Sequence, residues 1–172
     1  LASYHPLTLQ PVPGVAADWD VNRAKTVYRF RLREEALFSN GDPVRAQDFR
    51  ESWLRAIDPA IRAEYSFLFD VIKGARAYRN GQKTEVGIRA ISDKLLEVEL
   101  EKPAGHFLKL LCHMAFAPLH PSYRGRQGWD GEASLIGNGP FFLARRGDRE
   151  LTLEKNRLYW DARNVELDAV RI

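Results

Sequence analysis

A chain of 172 residues with 45% hydrophobic and 28% charged side chains has a globular composition, long enough for one well-packed domain and short for two. No apolar run approaches the roughly 20 residues that a membrane-spanning helix needs, and the single cysteine, Cys112, excludes an internal disulfide. The formal net charge of +3 would permit nucleic-acid binding, but the basic residues are spread along the chain without a cluster interleaved with aromatics, so no nucleic-acid partner is expected.

Residues 1–14 hold Pro6, Pro11 and Pro13, which deny a helix. They form an extended lead-in whose Tyr4, Leu7 and Leu9 are placed to pair at a sheet edge. From 26 to 32, Tyr28, Phe30 and Leu32 alternate with Arg29 and Arg31, the pattern of a half-buried strand. Asn40-Gly41 supplies a tight turn and Pro43 fixes φ before a helix begins at Ala46. Phe49, Trp53, Ala56 and Ile57 then share one helical face. Arg45 cannot accept the usual N-cap hydrogen bond, so either another group satisfies the turn or the cap moves to Asp42.

Asp58-Pro59 ends that helix. A second helix is expected over 64–79, with Leu68, Ile72 and Ala75 on one face and Asn80-Gly81 as its stop. Residues 86–91 and 95–101 read as a β-hairpin joined by Ser92-Asp93-Lys94. In its second strand Leu96, Val98 and Leu100 alternate with Glu97, Glu99 and Glu101. Pro103 opens a third helix with Phe107, Leu108, Leu110 and Leu111 on a wide apolar face, and 115–121 is expected to be extended. Gly125, Gly128 and Gly131 make 122–135 a loop or frayed helix. Strands at 141–146 and 150–155 flank the Gly147-Asp148 turn, followed by Tyr159-Trp160 and a last strand at 169–172. Strands and helices without strict alternation imply an α+β fold with a mixed or antiparallel sheet.

Enzyme signatures are missing: there is no G-x-S-x-G, H-E-x-x-H, P-loop or G-x-G-x-x-G, and no cofactor or catalytic residue is expected. Gly137-Asn138-Gly139 is too short to cradle a pyrophosphate, and Pro140 removes an amide from it; it reads as a turn delivering the next strand. Glu34-Glu35 and the Glu97, Glu99, Glu101 row read as solvated strand faces. His106, His113 and His120 recur every seven residues, but Pro118 interrupts any shared helix. Cys112 reads as a buried small hydrophobe, and Trp129 as a partnerless, exposed tryptophan.

Several blocks fall in one order along the chain. They are Ala17-Asp18-Trp19, Tyr28-Arg29-Phe30-Arg31-Leu32-Arg33, Phe38-Ser39-Asn40-Gly41-Asp42-Pro43-Val44, Ala46-Gln47-Asp48-Phe49, Ile72-Lys73-Gly74-Ala75, Gly137-Asn138-Gly139-Pro140-Phe141 and Asn156-Arg157-Leu158-Tyr159-Trp160. This run resembles the oligopeptide- and dipeptide-binding family, the solute-binding proteins of bacterial peptide ABC transporters. The resemblance implies part of a two-lobed periplasmic-binding-protein-like fold. Residues 1–120 would match the extra second domain of these proteins and 121–172 the return segment into the first lobe, with the second lobe absent. It implies a piece of a longer, periplasmic or membrane-anchored extracytoplasmic protein whose leader has been removed, an oligopeptide ligand, and ABC permease subunits as partners. By position in the family pattern, Tyr65 and His113 would border the ligand, and Trp19, Trp53 and Trp160 would be packing residues. The same family fold leaves two other readings open: the sensor half of a transcription regulator, or a receptor for a nickel complex or sugar.

Overall fold

Alternation in β4 (Val27–Leu32) sets the orientation of the main sheet: Tyr28, Phe30 and Leu32 are buried while Arg29 and Arg31 are exposed. The computed structural model describes residues 1–125 and 135–172. Trp129 and most of the loop expected at 122–135 lie outside the described residues. These residues group into two units, Leu1–Arg33 with Arg45–Pro118 and Glu34–Val44 with Leu119–Ile172.

In the first unit β1 (Ala2–Tyr4) pairs antiparallel with β2 (Pro11–Pro13). β3 (Ala16–Val21), β4, β5 (Ile88–Ser92) and β6 (Leu95–Glu99) form an antiparallel sheet in the order β3-β4-β6-β5. Its register puts Phe30 opposite Leu96, Tyr28 opposite Val98, and Ile88 opposite Val98 on the inner face. Phe107 from the short helix that follows lies 5.0 Å from Tyr28 and 6.4 Å from Phe30, between ring centroids. Each large side chain buried this way contributes roughly 1.5–3 kcal/mol.

On the outer face the same register aligns Arg29, Glu97 and Arg89 in one row across three strands. Arg29 Nε donates to Glu97 at 2.7 Å and an Arg89 amino group lies 2.8 Å from its other oxygen. Contrary to the solvated row expected from the sequence, Glu97 is only 6% exposed, because two long arginine side chains cover it. The Arg29 hydrogen bond holds its carboxyl below the ordinary value of 4.5, against burial and with help from Arg89.

α1 (Ala46–Ala56) packs on β5 and β6 and buries Phe49 and Trp53. Its start is satisfied without Asp42: Asp48 accepts from the Arg45 N–H at 2.8 Å, and the Ala46 N–H reaches the Asp93 carbonyl at 2.8 Å.

The single helix expected at 64–79 is two pieces, a 3-10 turn over Ser66–Val71 and α2 (Ala75–Arg79). Ile72 is extended and bridges Leu100, and Lys73 exchanges backbone hydrogen bonds with Glu99 and Gly87. Sheet pairing therefore claims the residues that helical periodicity had assigned. Gly74 then re-enters the helix at φ 74°, where a Cβ would stand 2.2 Å from the Glu85 carbonyl oxygen. α3 (Phe107–Leu110) is shorter than expected, and the extended segment expected after it contains 3-10 turns at Met114–Phe116 and Pro121–Tyr123.

In the second unit β7 (Phe141–Arg146), β8 (Leu151–Lys155) and β9 (Ala169–Arg171) form an antiparallel sheet in that order. Asn156, 2% exposed, closes the turn before β7: its amide donates to the Gly139 carbonyl at 3.0 Å and its side-chain oxygen accepts from the Leu158 N–H. The 34–44 loop buries Phe38 and turns at Gly41, φ 92°. It is tied by the Ser39 N–H to the Gly137 carbonyl and by His120 Nε2 to Asp42, 2.8 Å each. Every strand pair among the described residues is antiparallel, so the fold is α+β with antiparallel sheets.

Candidate functional site

Under one surface of the first unit lies a fully buried aromatic group. Trp53 comes from α1, Phe69 from the Ser66–Val71 turn and Phe116 from the Met114–Phe116 turn. Phe69 and Phe116 stand 4.3 Å apart, and Trp53 lies 6.0 Å and 5.3 Å from them, between ring centroids. The Trp53 indole N–H donates to the Phe116 carbonyl at 3.1 Å, so its one polar atom is satisfied inside the core.

The residues that begin those two turns are Tyr65 and His113. Remote in sequence, they meet with ring centroids 4.9 Å apart at 57°. Tyr65 is 42% exposed and His113 half-buried. His113 Nδ1 accepts the Ala115 N–H at 3.1 Å. That hydrogen bond leaves the neutral ring's proton on Nε2, which makes no hydrogen bond among the described residues. The pair thus offers an N–H donor, a phenol that both donates and accepts, and two ring faces. Such a set suits a ligand with amide groups and apolar side chains. Phe67 and Met114, 55% and 80% exposed, sit next to the pair in sequence. In sequence Phe67 belongs with Tyr65, Leu68 and Phe69 to an aromatic-rich group that reads equally well as core, yet only Phe69 is buried; Met114, as an isolated exposed apolar residue, carries no periodic signal.

His120 has the opposite character. It is 6% exposed, with Nε2 at 2.8 Å from Asp42 and Nδ1 at 2.8 Å from the Ser122 hydroxyl, and Phe38 lies edge-on at 4.9 Å. Its hydrogen-bonding capacity is spent on the fold. His106 is exposed at the start of α3. Among the described residues no group of three His, Cys, Asp or Glu side chains is arranged to hold a metal ion. The half-buried Cys112 thiol donates to the Leu108 carbonyl, and burial pushes its pKa up, away from thiolate chemistry. A hollow of about 260 Å³ in the second unit is lined by Lys155, Arg157, Ala162, Arg163 and Asp168. Its Lys155 ammonium is already donated to the Val165 carbonyl at 2.7 Å. No helix among the described residues is long and apolar enough to cross a membrane.

The family described as bacterial extracellular solute-binding proteins, family 5 Middle, matches residues 10–172. Dipeptide-binding protein DppE of Bacillus subtilis (strain 168) is 38% identical over 167 residues, taking in 94% of this chain and 31% of the relative. The substrate-binding domain of an oligopeptide ABC transporter from Bacillus anthracis str. Ames superposes with a TM-score of 0.92 at 35% identity, over 99% of this chain and 34% of the other. OppA of Listeria monocytogenes, solved bound to peptide, gives 0.90 at 36% identity, over 99% of this chain and 35% of the other. The chain therefore spans about a third of the length of these relatives.

Proposed function

The chain belongs to the bacterial extracellular solute-binding proteins, family 5, and on that premise we propose that it forms one wall of a receptor that captures oligopeptides outside the cytoplasmic membrane and delivers them to an ABC permease. The observation that carries this reading is the superposition of 99% of the chain on a relative solved with peptide bound. In this reading Tyr65 and His113 face the peptide. The Nε2–H of His113 donates to a peptide carbonyl, and the Tyr65 ring packs a side chain while its hydroxyl reaches the peptide backbone. Residues 1–120 correspond to the extra domain of the longer proteins and 121–172 to the chain's return into the first lobe. A second lobe, outside these residues, closes over the ligand, and closure separates the loaded state from the empty one in free energy.

Native mass spectrometry of the full-length protein, purified without added ligand, tests this directly when the small molecules it releases are sequenced. A ladder of short peptides is the expected result. A metal complex or a sugar would move the ligand to another class within the same fold. The 172 residues alone are expected to bind peptide weakly, because in this reading they supply only one wall of the site; micromolar binding by calorimetry would contradict that.

A further inference from the structure

We infer that Trp53 is a positioning residue for the Tyr65–His113 pair, an assignment that rests on the peptide-facing reading for its effect on affinity but not for its effect on geometry. Tyr65 and His113 lie on no strand and on no long helix. Each begins a 3-10 turn, and the turn that His113 begins spans only Met114–Phe116. Such turns have poor hydrogen-bond geometry and little rigidity of their own. What sets the 4.9 Å separation of the two rings is therefore the layer beneath them.

That layer converges on Trp53. Phe69 hangs from the turn that Tyr65 begins, Phe116 ends the turn that His113 begins, and Trp53 contacts both. Packing alone would let the short Met114–Phe116 turn rotate about its own axis. The hydrogen bond from the indole N–H to the Phe116 carbonyl fixes that rotation, since it grips the backbone and not only a side chain. The same turn carries the Ala115 N–H that selects the His113 tautomer. One buried donor on α1 thus sets where the imidazole sits, while the local Ala115 N–H selects its tautomer.

The test replaces Trp53 by 3-benzothienylalanine in the full-length protein, which keeps the ring shape and deletes the N–H. Phe69→Leu serves as a second variant that loosens the same layer from the Tyr65 side. NMR reads the through-space contact between the Tyr65 and His113 rings and the nitrogen shifts of the imidazole, and calorimetry with trialanine reads affinity. The expected result is a weakened ring contact, imidazole shifts displaced from those of the parent as the ring moves away from Tyr65, and affinity lower by about fivefold, as for one buried hydrogen bond. If the folded variants keep the ring contact and the imidazole shifts of the parent, the inference is overturned, whatever the affinity does. If the geometry changes while trialanine binding does not, Trp53 positions the pair and the peptide-facing reading is what fails.

Discussion

Two histidines, His113 and His120, begin two short 3-10 turns in the same way, each with Nδ1 accepting the N–H two residues on. The second is buried and gives its Nε2 to Asp42, while the first is half-buried beside an exposed tyrosine and keeps its Nε2. Identical local chemistry thus uses both imidazole nitrogens for the fold in one unit and leaves Nε2 without a hydrogen bond among the described residues in the other. The environment decides the role: a loop with a carboxylate covers one imidazole, and nothing among the described residues hydrogen-bonds to the other's Nε2.

Removing the aromatic layer that underlies His113 should have the largest effect. Trp53→Ala is expected to destabilise the protein by about 3–5 kcal/mol, and thermal unfolding would record a large fall in Tm together with loss of peptide binding. Next in size, His120→Ala should lower stability by about 2 kcal/mol, since it deletes a buried ring and its hydrogen bonds. Peptide affinity of the folded fraction should stay unchanged, and a loss of affinity at full folding would erase the distinction. His113→Ala reverses the balance. Denaturant unfolding should show a change within about 1 kcal/mol, the worth of an N-cap, whereas trialanine affinity measured by calorimetry should fall about tenfold, or about 1.4 kcal/mol.

The smallest effect sharpens the contrast by showing a charge that belongs wholly to the fold. With the Arg29 hydrogen bond holding the Glu97 carboxyl below its ordinary 4.5, the ionised group contributes stability above that value. The contribution is lost as pH falls from there through the lowered folded-state value. Glu97→Gln should therefore cost about 1 kcal/mol at neutral pH, modest because both arginines remain partly in water. The variant's stability should also fall less steeply between pH 5 and acid than that of the parent, about one proton's worth of slope. Equal acid limbs in the two proteins would assign the acid sensitivity to other carboxylates.

Local signals carried much of the fold. Strict alternation located β4, helical spacing located α1, and Gly147-Asp148 marked the turn between β7 and β8. What stayed hidden was decided by partners distant in sequence. Helical spacing of Leu68, Ile72 and Ala75 lost to the bridge between Ile72 and Leu100, and period-two alternation placed Glu97 outside without revealing that Arg29 and Arg89 would bury it. Nor does any pattern in 34–44 announce that this loop groups with residues after 118. At the candidate site, Tyr65 and His113 follow from a family resemblance and not from spacing. Their rings meet where Phe69 of one short turn also touches Phe116 of the other, a pairing that no periodicity encodes.

The most direct measurement is a ¹⁵N NMR spectrum of the imidazole nitrogens in the full-length protein, before and after addition of trialanine. His113 Nε2 is expected to shift as it donates to the peptide while both His120 nitrogens stay in place. A silent His113, or a His120 that moves in its stead, would contradict that.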